Sequence, residues 1–282
     1  MIKLNIPTIT SIEAFDACLS GIVSTDMKQN YMDTQHDILS AYDVYEAKAN
    51  QLKLYEIPFI KQLKNEDIVV GDLSKGDFKH LYNYYMVKRP VGRKIYDKLM
   101  IESGGRCPYC GISETYNLDH YLPKSKYPIY SVLPINLIPS CRDCNTGKLA
   151  GHSRKAKKQT LHPYFEDECF YLDNWIDADI TGYKPLTLSF FVRVPDEWSD
   201  INKARAKQHF KDFNLNTKYS LRASDELTTV WDQRNNFFDG LPDDFKKQLQ
   251  SNIVESLSVN HWKIVVYKTL VEDDLLYDRL RC

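Results

Sequence analysis

The chain has 282 residues, 43% hydrophobic and 27% charged, with a formal net charge of -1. That is the composition of a soluble globular protein with room for two or three subdomains. No apolar run approaches the ~18 residues needed to cross a bilayer, and the opening MIKLNIPTITSIEAFDAC lacks the apolar stretch of a secretory leader. A membrane partner is therefore not expected, and a cytoplasmic location is.

The stretch TSIEAFDACLSGIV carries a capping box, Thr10 with Glu13, followed by Ile12, Phe15, Leu19 and Ile22 on one helical face. Cys18 shares that face and reads as core. A second helix is expected from about Asp33 to Ile57, with Ile38, Tyr42, Tyr45, Ala49 and Leu52 in register and Pro58 behind it. KGDFKHLYNYYMVKRP predicts a third, aligning Phe78, Leu81, Tyr82 and Tyr85. Its tyrosines could stack on bases, although core packing is the better reading. GRKIYDKLMIESGG predicts a further helix that Gly104 and Gly105 end. Between Cys110 and Cys141 the pattern becomes irregular and β-like, and a short helix is expected from near Cys141 to about His152. PLTLSFFVRVP alternates as a strand. DDFKKQLQSNIVESL reads as a helix with Phe245, Leu249, Ile253 and Leu257 at i, i+4 spacing, and His261 to about Leu280 as a last one. Three regions follow: 1–92 helical, 93–160 a central core, and 161–282 a C-terminal α+β region.

Four of the seven cysteines, Cys107, Cys110, Cys141 and Cys144, form two C-x-x-C pairs. Such pairs can converge on one Zn²⁺ as a tetrahedral site, and four thiolates leave no open position, so this zinc would be structural. Unliganded thiols are the competing reading. Charge is uneven as well: Lys88 to Lys158 hold 14 Lys/Arg against 5 Asp/Glu, a local +9 that leaves about -10 elsewhere. A basic block in an acidic chain fits a nucleic-acid-facing region, and a solvated charged surface would look the same. RKAKK, Arg154 to Lys158, could track a phosphate backbone or be a solvated tail.

Inside the cysteine frame stands LDHYLPKSKYP. Phosphodiester hydrolysis needs a base near neutral pKa, which a histidine such as His120 supplies. It also needs a hard cation on oxygen ligands. Asp119 offers a carboxylate and Asn145 an amide oxygen, and Asn145 directly follows Cys144, at the expected start of a helix. Asn136 is expected opposite His120, where it could hold the imidazole or the intervening loop. Lys124 could meet phosphate or be plainly solvated. His162, in LHPYFED, reads better as a structural histidine than as a catalytic one.

CPYC…LDHYLPKS…NLIPSCRDCNTGK closely resembles the HNH endonucleases in their zinc-stapled branch, over roughly Arg93 to Gln159. The resemblance implies an α+β fold with mainly helical flanks around a ββα-metal core. It implies His120 as general base, Asp119 as the acidic metal ligand and Asn136 as the central asparagine. Asn145 stands where many members carry the final histidine, making an H-N-N form. Lys124 matches the phosphate-facing basic residue, with Lys148 a second substrate contact. Mg²⁺ or Mn²⁺ would be the catalytic cofactor, and nucleic acid, DNA or RNA, the substrate. The helical N-terminal region and LHPYFED are also similar to HNH components of Septu-type anti-phage systems, which work with a partner ATPase. A non-catalytic zinc-ribbon module that docks nucleic acid or an acidic protein is the alternative.

Overall fold

The computed structural model describes residues 1–59, 63–148, 154–253 and 257–281. Its internal contacts divide the chain into two units, residues 2–166 and residues 167–282 together with Met1. The architecture mixes helices with three small two-stranded antiparallel sheets, an α+β arrangement. Among the described residues no helix is long and apolar enough to cross a membrane.

In residues 2–166, α1 spans Ser11–Ser20, and the Thr10–Glu13 capping box closes its first turn in both directions. Thr10 Oγ1 accepts from Glu13 N at 3.2 Å, and Glu13 Oε2 accepts from Thr10 N at 2.7 Å. Cys18 lies fully buried on this helix beside Phe15 and Leu19. Then follow α2, Thr25–Asp33, and α3, Gln35–Asn50. The helix expected to run to Ile57 stops at Asn50 because Leu52 adopts a left-handed φ of 58°. Lys53 N then donates to Lys48 O and Leu52 N to Ala49 O, the paired bonds that close a helix end. A 3₁₀ turn, Leu54–Glu56, follows.

Strands β1 (Ile68–Val70) and β2 (Leu73–Ser74) form a small hairpin ahead of α4, Lys75–His80. The expected helix through Tyr85 is regular only to His80; Leu81–Met86 widens into a π-helix. Leu81, Tyr82, Tyr85 and Met86 are all buried. Two adjacent pairs of apolar residues need a broader stripe than a 3.6-residue turn presents, and the wider π turn provides it.

Helix α5, Pro90–Ile101, packs on the π segment and on α1. It comes so near that a Cβ on Gly92 would lie 2.1 Å from Tyr85 O. The helix ends three residues short of Gly104, and both Gly104 and Gly105 have positive φ in the turn beyond.

Strands β3, Asn117–His120, and β4, Leu137–Ser140, pair antiparallel with Leu118 opposite Pro139 and His120 opposite Leu137. Helix α6, Arg142–Lys148, follows directly. The expected helix end near His152 lies outside the described residues. Tyrosines cover the outer edge of β3: Leu118 N donates to Tyr96 Oη at 3.3 Å and Leu118 O accepts from Tyr82 Oη at 3.3 Å. Backbone groups on an unpaired edge need such partners.

In residues 167–282, α7 (Cys169–Leu172) precedes β5 (Ile176–Tyr183) and β6 (Leu186–Val192), which form a hairpin. Helices α8 (Asp200–Asp212), α9 (Leu215–Phe237), α10 (Pro242–Ser251), α11 (Trp262–Glu272) and α12 (Leu276–Arg279) complete the unit. Helix α9 lies on β6 and α11 on β5. Helix α10 stops at Ser251, so Ile253 and Leu257 do not extend its apolar row, and residues 254–256 lie outside the described residues. The single helix expected from His261 to Leu280 is broken at Asp273, whose carboxylate accepts from Leu275 N at 2.9 Å and from Tyr183 Oη at 2.6 Å.

Candidate functional site

The four cysteines bracket the β3–β4 hairpin, one pair ahead of β3 and the other at the start of α6, and their sulfurs lie within 4.8 Å of one another, all buried. A tetrahedral ion with bonds of about 2.3 Å needs sulfurs about 3.8 Å apart, so this cluster could hold a metal ion such as zinc. The first pair sits on a tight turn: Gly111 N donates to Cys107 O at 2.8 Å, and Gly111 takes a φ of 70° that favours glycine. In the second pair Cys144 N donates to Cys141 Sγ at 3.4 Å and Asn145 N to Cys141 O at 3.1 Å. Fixing Cys144 therefore fixes Asn145. Asn145 is the fourth residue of α6 rather than its first.

A cleft of about 500 Å³ opens at the end of β3. Asp119, His120, Lys124 and Asn145 line it together with Tyr82 and Asn83 of the π segment. Neighbours in a strand point to opposite faces. Asp119 turns to Tyr109 and Lys148, whereas His120 turns to Tyr82 and Ser131. Because β3 ends at His120, one cleft takes in both.

His120 Nε2 lies 2.9 Å from Ser131 O, and the ring meets the edge of Tyr82 at 4.4 Å between centroids. A carbonyl oxygen only accepts, so Nε2 carries the proton and the neutral ring keeps its lone pair on Nδ1. Burial, and secondarily the charge of Lys124, holds the imidazole well below its ordinary pKa. The ring is therefore neutral at pH 7.

Asp119 Oδ2 accepts from Tyr109 Oη at 3.0 Å and from Lys148 Nζ at 2.7 Å. Burial, then the charge of Asp119, pushes the Tyr109 phenol well up, keeping it a donor. Lys148, expected to contact substrate, is 7% exposed. Its ammonium is directed to Asp119 and to His120 O, at 3.0 Å. Among the described residues nothing bonds to Asp119 Oδ1 or to the Asn145 side chain. These are two hard oxygen donors lining one cleft, a set that suits Mg²⁺ or Mn²⁺.

Asn136 does not reach the imidazole. It is fully buried just before β4, and its side chain holds the loop after His120. Its Oδ1 accepts from Leu122 N at 2.7 Å and Tyr45 Oη at 3.1 Å, and its Nδ2 donates to Leu122 O at 3.2 Å and Tyr130 O at 3.0 Å. Tyr130 adjoins Ser131, so this amide fixes the segment that supplies the carbonyl to His120. Lys124 Nζ donates to Asn83 Oδ1 at 2.8 Å and lies 4.2 Å over the Tyr82 ring. His162 is 1% exposed, 3.3 Å from Tyr45 Oη, and its Nδ1 accepts from Tyr164 N at 3.2 Å. Those are the surroundings of a packed structural histidine. Sequence reasoning passed over Ser131, Asn83 and Tyr109. Only Tyr109 left a signal, by standing inside CPYC.

Fold and site together define an α+β chain whose strand–strand–helix unit is framed by four cysteines and carries an Asp–His pair in a polar cleft. Over nearly its whole length the chain is similar to protein ea31 of Escherichia phage lambda, 32% identical over 290 residues, covering 97% of this chain and 98% of that protein. The chain belongs to the ea31 family. A shorter stretch is similar to the Septu protein PtuB of Bacillus thuringiensis, 38% identical over 80 residues, 26% of this chain and 30% of that protein. No protein-family model matches the chain. No solved structure matches it either.

Proposed function

We propose that the chain is a metal-dependent nuclease of HNH type that hydrolyses phosphodiester bonds in nucleic acid. The carrying observation is His120, whose Nε2 is taken by Ser131 O, leaving the lone pair to Nδ1, on a residue that lines one cleft with Asp119 and Asn145. In this reading His120 removes a proton from water at Nδ1 as the water oxygen attacks phosphorus. The P–O3′ bond breaks and the departing oxygen takes a proton from solvent, leaving 5′-phosphate and 3′-hydroxyl ends. Mg²⁺ or Mn²⁺, held by Asp119 and Asn145, would stabilise charge on the phosphate and the departing oxygen when bound. Lys124, at the rim, supplies a positive charge to the phosphate backbone. Zinc on the four cysteines holds β3, β4 and α6 in register.

The PtuB-like segment supports placing this nuclease in an anti-phage defence setting, and the resemblance to Septu-type components implies an ATPase as its partner. Co-purification with an ATPase from the native host tests that part.

For the chemistry, the zinc-loaded protein is incubated with double-stranded DNA, single-stranded DNA and total RNA, with Mg²⁺ or EDTA. Cleavage of at least one substrate is expected with Mg²⁺ only. His120→Ala should lower it by about 10²–10⁴-fold, the usual weight of a general base, with zinc content unchanged. Equal cleavage by that variant rejects the assignment of His120 as the base.

A further inference from the structure

Lys148, which pairs with Asp119, has no role in the chemistry above. The Asp119 and Lys148 side chains are 9% and 3% exposed, and the ammonium donates to Asp119 Oδ2 and His120 O. Tyr109 and Tyr121 enclose it, with ring centroids 5.7 Å and 4.9 Å from Nζ.

The consequence is a charge count. Asp119 is the one anionic group lining the cleft among the described residues, and Lys148 offsets it. His120 and Asn145 add no charge and Lys124 adds a positive one. A bare divalent cation entering the cleft meets no net negative charge, and hard cations bind according to ligand charge as well as ligand number. A phosphodiester carries the missing negative charge and an oxygen ligand. Lys148 also leaves the geometry ready, because it holds Oδ2 and leaves Oδ1 bare.

We propose that Lys148 is a positioning residue that makes metal binding depend on substrate: the cation enters the Asp119–Asn145 site together with a nucleic-acid phosphate, and the empty site discriminates against it. This rests on the nuclease reading above.

The test measures Mn²⁺ binding by electron paramagnetic resonance on the full-length, zinc-loaded chain carrying His120→Ala, with and without the oligonucleotide that wild type cleaves. Mn²⁺ affinity should rise about tenfold or more when the oligonucleotide is saturating, a reciprocal coupling between the two ligands. Adding Lys148→Met should tighten Mn²⁺ binding without oligonucleotide by about tenfold and shrink the coupling, since one unit charge beside the site is removed. Lys148→Arg should behave as the parent. Tight Mn²⁺ binding to the parent alone, unchanged by oligonucleotide, overturns the proposal even where His120→Ala still abolishes cleavage. If Lys148→Met does not fold, the parent's coupling alone decides. Asp119→Asn separates the two readings: Mn²⁺ binding that survives it, with or without oligonucleotide, rejects the metal site and with it the nuclease assignment.

Discussion

Asn136→Ala isolates what one buried amide contributes. The side chain is fully buried and bonds Leu122 N, Leu122 O, Tyr130 O and Tyr45 Oη. Truncation strands the Leu122 amide and Leu122 O, while Tyr130 O keeps Leu133 N at 3.3 Å and Tyr45 keeps His162 Nε2 within reach. A buried donor left without a partner costs about 1–3 kcal/mol, and a carbonyl somewhat less. With the lost packing, about 3–5 kcal/mol is expected, concentrated in residues 2–166. Asn136→Asp should do no better, because a carboxylate cannot donate to Leu122 O and Tyr130 O. All four tryptophans, Trp175, Trp198, Trp231 and Trp262, lie outside that unit. Tryptophan fluorescence would therefore miss the effect. Zinc release on a urea gradient, together with hydrogen exchange at the Leu122 amide, reports it. A loss below about 1 kcal/mol, with Leu122 as protected as before, would refute the loop-bracing account.

Other expectations follow from the same geometry. Cys141→Ser should abolish stoichiometric zinc binding and lower solubility, since a clamp of this kind supplies folding energy; metal analysis and circular dichroism check it. Gly92→Ala places a methyl 2.1 Å from Tyr85 O. Backbone must move to admit it, at about 1–3 kcal/mol or more, read as a lower thermal midpoint. Burial, with Lys79 next, brings Lys124 down to about 8. Its charge is present below that pH and lost above it, so KM for nucleic acid should climb as pH rises through 8. Lys124→Arg, which stays charged, should flatten the profile.

What could be read beforehand was whatever side-chain types announce locally. The Thr10–Glu13 box, the Cys18 face, the β6 alternation and the convergence of the two C-x-x-C pairs all depend on short spacing, and each is present in the structure. Helix ends were harder, because Leu52 terminates α3 in a conformation usually left to glycine, and Asp273 breaks the last helix through its own side chain. The π widening at Leu81–Met86 arises from tertiary packing on both sides of it. In α9, Leu215, Tyr219, Ala223, Leu227, Val230 and Arg234 form a readable buried row, and no expectation covered that span. At the site, the residue types around Asp119 were legible and their pairing was not. Lys148 reaches Asp119 across 29 positions in sequence. The two roles imagined for Asn136 divide between two residues: it holds the loop, and Ser131 orients the ring.

That last contact bears on how the family can drift. The imidazole is aimed by a main-chain oxygen, a group that every amino acid brings identically, so exchanges at position 131 cannot delete it. The aim of the ring can change only if the loop itself moves, which places the selective burden on inconspicuous neighbours such as Asn136 and Tyr45, and on the buried Ser131 hydroxyl that ties the loop to Phe78 O.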